Sequence, residues 1–90
     1  MVTSETLKYE LQGRFLEAQH ELGKSHVSVR YEPVPRVARV GVMLDEYDWD
    51  HRLDSIRILR KFEAQHADEF AIEFDILPLE AVTDETYAEA

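Results

Sequence analysis

Apolar residues recur along this chain at two different periods, and the changes of period divide it into five elements. Leu7, Leu11, Phe15, Ala18 and Leu22 are spaced four, four, three and four apart, one stripe of a helix over residues 4–22. Ser4 stands where a cap would start it, and Gly23 stands where a left-handed residue would end it. Glu10 and Arg14 have the spacing of a supporting ion pair. Leu7, Tyr9 and Leu11 also alternate, so a strand at the opening is the competing reading of the same residues.

From His26 the period shortens. Val27, Val29 and Tyr31 alternate with Ser28, Arg30 and Glu32, the signature of a half-buried strand. Pro33-Val34-Pro35 interrupts it, because proline offers no N–H to a ladder. A denser run, Val37-Ala38-Arg39-Val40-Gly41-Val42-Met43-Leu44, follows and suits a sheet interior. A short loop between the two predicts Val27 opposite Val42, Val29 opposite Val40 and Tyr31 opposite Ala38. A slip of one residue would scatter that apolar face. The same register sets Arg30 against Arg39, two like charges that Glu73 and Asp75 on a third strand are placed to neutralise.

An acidic turn, Asp45 to Asp48, leads into a second helical pattern that reaches about Asp68. Leu53, Ile56, Leu59 and Phe62 form its apolar side, with Trp49 and Ile58 flanking. Asp48 or Asp50 would cap it, and Trp49 reads as a core or lid aromatic. Phe70, Ile72, Phe74 and Ile76 then alternate with polar neighbours as a last strand. A strand–helix–strand unit crosses over right-handed. The expected architecture is therefore α+β, in the order α-β-β-α-β: a three-stranded mixed sheet with two helices packed on one face. Residues 1–90 read as a single small domain, with an acidic tail from about 83 to 90 expected to fray.

Composition removes several functions. The chain has no cysteine, which excludes a disulfide scaffold, a thiolate metal site and a cysteine nucleophile. No apolar run approaches the roughly 18 residues of a membrane span, and Met1-Val2-Thr3-Ser4-Glu5 does not read as a signal peptide. A cytoplasmic protein is the expectation. The net charge of −9 is unevenly placed. Residues 1–42 hold six Lys/Arg and five Asp/Glu, and residues 43–90 hold four and fourteen. That balance speaks against nucleic acid, whose phosphates need clustered cations, and is compatible with a basic protein partner.

The acids Asp45, Glu46, Asp48, Asp50 and Asp54, with His51 among them, are the densest candidate group. Helix capping, a solvated face and a partner-binding patch all use such residues. Hard cations also take carboxylates, but the spacing lacks the glycine bend and terminal glutamate of a calcium loop. His20, His26, His51 and His66 show no zinc spacing, no serine sits in a nucleophile elbow, and Gly13, Gly23 and Gly41 are too far apart for a phosphate loop. No cofactor motif is present. Tyr9, Gly13, Leu16 and His20 form a second stripe on the far side of the first helix, which reads either as two scattered surface apolar residues of the ordinary kind or as a subunit or partner contact.

The cadence Val40-Gly41-Val42-Met43-Leu44-Asp45, a helix, then Ile72-Glu73-Phe74-Asp75-Ile76 resembles the second half of minimal nucleotidyltransferase domains. That resemblance would make Asp75 the third acid of a magnesium site. The family's Gly-Ser turn is missing, however, and Val37 and Arg39 stand where its paired aspartates belong. The resemblance bears on fold and not on catalysis. Two functions are expected from the sequence. The first is a protein-interaction module, of inhibitor, immunity or regulatory type, acting through the acidic patch or as a homodimer. The alternative is a metal-dependent phosphoryl- or nucleotidyl-transfer enzyme, or its degenerate relative, using Asp48, Asp50 and Asp75.

Overall fold

In the computed structural model the chain is described over residues 2–79, and the expected tail from 83 onward lies outside them. The elements are α1 (Ser4–Glu17), α2 (Gln19–Leu22), β1 (Ser25–Glu32), β2 (Val37–Leu44), α3 (Trp49–Gln65) and β3 (Ala71–Pro78). The sheet order is β1-β2-β3, with β1 antiparallel and β3 parallel to the central strand. The α-β-β-α-β plan and the mixed three-stranded sheet stand as expected.

The register follows the apolar pattern. Val27 faces Val42, Val29 faces Val40 and Tyr31 faces Ala38. On the other side Ala38 faces Ile72, Val40 faces Phe74 and Val42 faces Ile76. Every second residue of all three strands thus points to one side, where Leu7, Leu11 and Phe15 of α1 and Leu59 and Phe62 of α3 close the core. Met43 is also buried but belongs to the opposite side of the sheet, apart from that cluster.

Four local details differ from expectation. The first helix breaks at Ala18, and its last turn is the separate α2, which lies against α3 with Leu22 fully buried. The cap of α1 is Thr3, not Ser4. Thr3 Oγ1 accepts the Thr6 N–H at 3.1 Å, and Thr6 Oγ1 accepts the Thr3 N–H at 3.0 Å, a reciprocal box. Ser4 has another task, since its Oγ accepts the Tyr31 N–H at 2.8 Å. Trp49 is not in the core: it is 67% exposed, with the Arg52 guanidinium 5.9 Å from its ring centre.

The fourth concerns the two arginines. Arg30 does pair with Arg39 across the ladder. Arg39 is neutralised by Glu32, whose Oε1 accepts from Nε at 3.0 Å, and by Glu73, whose Oε2 accepts at 2.7 Å. Asp75 takes no part, because it stands two pairs further on, beside Gly41. Glu32 supplies the second carboxylate from the end of β1, close to Arg39 on the same side of the sheet.

Both outer strands are plugged at one row. Tyr31, Ala38 and Ile72 lie side by side across the sheet. At one edge Ser4 holds the Tyr31 N–H; at the other, Glu63 Oε2 accepts the Ile72 N–H at 2.7 Å. Each helix therefore blocks the strand edge next to it at the same level, which limits strand addition there.

Candidate functional site

The acidic turn is built mainly as a joint. The Asp45 N–H donates to the Lys24 carbonyl at 3.0 Å, extending the ladder one pair beyond the strands. Asp48 caps α3, its Oδ1 accepting the His51 N–H at 2.8 Å. His51 reaches back to donate from Nδ1 to the Glu46 carbonyl at 2.8 Å, with Asp48 Oδ2 at 3.1 Å from the same nitrogen. Asp54 pairs with Arg57 at 3.0 Å. Among the described residues the carboxylates of Asp45 and Asp50 make no hydrogen bond or ion pair, and both are exposed.

This wiring acts on His51. The hydrogen bond to the Glu46 carbonyl raises its pKa above the usual 6.5; burial opposes it with the next largest effect, and the charges of Asp48, Glu46 and Asp54 each add a smaller upward one. A pKa raised on folding means that folding favours the protonated ring. The stabilisation is complete below about pH 6.5 and is lost as pH rises through the folded-state value. In an NMR titration the His51 ring should therefore show a midpoint above 6.5, and a midpoint at or below 6.5 would contradict the hydrogen bond.

The enzymatic alternative needs Asp48, Asp50 and Asp75 to converge. Asp48 and Asp50 lie at the start of α3, which packs on one side of the sheet. Asp75 is in β3, on the side carrying Arg39, Glu73 and Met43. Among the described residues no group of three or more His, Asp or Glu is arranged to hold a metal ion.

The far stripe of α1 comes together as a surface. Tyr9 is 81% exposed and Leu16 is 68% exposed, on the side away from Leu7, Leu11 and Phe15. Gly13 lies between them, and a methyl group added there would meet nothing within 4 Å. His20 continues the stripe on α2, exposed beside Glu21. Glu10 and Glu17 run along one border; Arg14 approaches Glu10 at 3.9 Å and the Phe62 ring at 5.2 Å.

The opposite border of α1 opens into a groove of about 440 Å³, lined by Lys8, Gln12, Leu16 and Gln19 from α1 and α2, and by Lys24 to Val27 from the start of β1. Sequence reasoning missed it. Lys8 and Lys24 are 16 residues apart in the chain and meet only because α1 lies alongside β1, so no local spacing announces them. His66 shows no zinc spacing in the sequence, and its link to Glu10 likewise depends on the fold. Its ring stacks on Phe70 with centres 5.1 Å apart, while its nitrogens reach Glu69 at 2.6 Å and Glu10 at 3.4 Å, tying the end of α3 to α1.

These features define a small α+β domain in which no described residue covers the outer face of α1, with an adjoining groove. No helix among the described residues is long and apolar enough to cross a membrane. No family model, no curated protein and no solved structure matches the chain.

Proposed function

We propose that this domain is a cytoplasmic protein-interaction module whose contact surface is the outer face of α1. The observation that carries the reading is the exposure of Tyr9 and Leu16 on either side of Gly13. Glycine inside a helix costs stability relative to alanine. Among the described residues nothing needs it here, since the added methyl group would meet none of them within 4 Å. A close-packed neighbouring backbone would need it. Large apolar side chains flanking a small residue form a site on which a partner can settle closely.

Charge narrows the partner. Glu10 and Glu17 border the stripe, so pairing this face with itself sets glutamates near glutamates, in a chain that already carries −9. A second copy is thus a poorer fit than a partner carrying basic residues. The free carboxylates of Asp45 and Asp50 offer such a partner a further contact.

Photo-cross-linking tests this. A benzophenone amino acid placed at position 9 or 16 should give one discrete protein adduct in concentrated extract. The same group at position 34, where Val34 on the β1–β2 turn is more exposed than either, should give none. Equal labelling at all three positions, or no adduct at 9 and 16, would remove the reading.

A further inference from the structure

We propose that the groove between α1 and the start of β1 receives an extended acidic peptide, which joins the sheet as a fourth strand beside β1. This goes beyond the helix-face reading, because it concerns the other border of α1 and a different kind of contact.

The backbone supplies the first argument. β1 is an edge strand. The Asp45 N–H bonds the Lys24 carbonyl, so Lys24 and the even-numbered residues of β1 turn their backbone groups toward β2. The odd-numbered residues turn theirs outward, and the Tyr31 N–H confirms the parity by meeting Ser4 on that side. Ser25, Val27 and Val29 therefore aim N–H and C=O groups away from the sheet. Among the described residues no hydrogen bond reaches those of Val27 or Val29 from the outer side. Such an unpaired edge is a template for another strand.

The cavity supplies the second. α1 closes the edge at Tyr31 but leaves about 440 Å³ open beside Ser25 and Val27. The plugged end limits the added strand to a few residues, and it sets the groove rather than the whole edge as the binding place.

Charge supplies the third and selects the occupant. Lys8 and Lys24 both line the groove, and neither makes an ion pair among the described residues. Two cations are thus left in one concave place on a chain of net charge −9. Gln12 and Gln19 add amides that donate to carboxylates or peptide carbonyls. Phe15, Leu16 and Val27 provide an apolar floor. An extended segment bearing Glu or Asp satisfies all three observations at once, whereas a basic segment would meet like charge.

The probe is a fluorescent hexapeptide alternating valine with glutamate, tested on the full chain by anisotropy and by amide hydrogen exchange. Binding should slow exchange at Val27 and Val29 at least tenfold. A Lys8→Glu, Lys24→Glu double variant should weaken binding at least tenfold and reduce its dependence on salt. A peptide of the same sequence with alternate backbone nitrogens methylated on its pairing edge should bind at least tenfold more weakly. Equal binding of the methylated peptide would mean charge attraction without strand pairing and would overturn the proposal. So would equal binding of the lysine counterpart, or no binding at about 1 mM peptide. Protection of Val27 and Val29 before any peptide is added would also overturn it, because the edge would then already be occupied. Lys8 and Lys24 lie outside the hydrophobic core cluster, and circular dichroism of the double variant checks that the fold is retained. The cross-linking result at position 9, which lies outside the groove lining, stands or falls independently of this one, whereas Leu16 borders both surfaces.

Discussion

Replacing Phe62 with alanine is expected to destabilise the fold by about 3–5 kcal/mol, the largest effect of any single change considered. Its side chain is 0% exposed and sits where the two helices and the sheet meet. The Phe70 ring is 6.0 Å away and the His66 ring 4.7 Å, centre to centre, and the Arg14 guanidinium lies over its face. Alanine would leave a cavity that α1, α3 and β3 cannot all close without losing register. Native proteins have a total stability of roughly 5–15 kcal/mol, so the loss is a large fraction of the whole. Urea denaturation measures it directly: the midpoint should fall with the slope unchanged. Phe62→Leu, which keeps most of the volume, should cost clearly less. A loss below about 1 kcal/mol for the alanine variant would mean that the helix–sheet junction is not packed as described.

The second large effect is expected at Gly23. Its backbone lies at φ 75° and ψ −166°, a region essentially reserved for glycine, where another residue costs about 1–3 kcal/mol. The position turns the chain from α2 into β1 within two residues. A Cβ there would also fall 2.9 Å from Glu46 Oε2. That contact involves the tip of a flexible side chain, which can swing aside. Gly23→Ala should therefore lose stability through its backbone, and adding Glu46→Ala should restore little of it. A double-mutant cycle with coupling below about 0.5 kcal/mol is the expected result. Full recovery in the double variant would mean that crowding, not backbone geometry, makes glycine necessary.

Much of this fold was legible before any coordinates. The β1–β2 register could be read because Val27, Val29 and Tyr31 have only one alignment with Ala38, Val40 and Val42 that keeps a single apolar face, and the Pro33–Arg36 turn is too short to allow another. A glycine stop at Gly23 and an aspartate cap at Asp48 or Asp50 were legible from residue type. The structure chose Asp48, and Gly23 ends α2 with an extended ψ of −166° in place of the left-handed helical one. The cap of α1 was not legible. Thr3 and Ser4 are both good caps, and the choice fell to Thr3 because the Ser4 hydroxyl meets the Tyr31 N–H, 27 residues away. Trp49 misled for a related reason: its size suggests burial, but the phase of α3, set by Leu59 and Phe62, turns it outward.

The candidate surfaces divide along the same line. Tyr9, Gly13 and Leu16 could be found from the sequence, since the phase of one helix fixes what lies opposite its buried stripe. The lysine-lined groove could not, because it depends on where α1 lies beside β1.

By itself, the order of apolar and polar residues determined the five principal segments, the pairing of the hairpin and the helix side left outside. Those properties follow from periods of 3.6 and 2 residues acting over short stretches of chain. Only the tertiary structure decided which strand edges are plugged, which arginine is neutralised and which lysines meet. Each of these depends on side chains from distant segments arriving at one place, and no local periodicity encodes that distance.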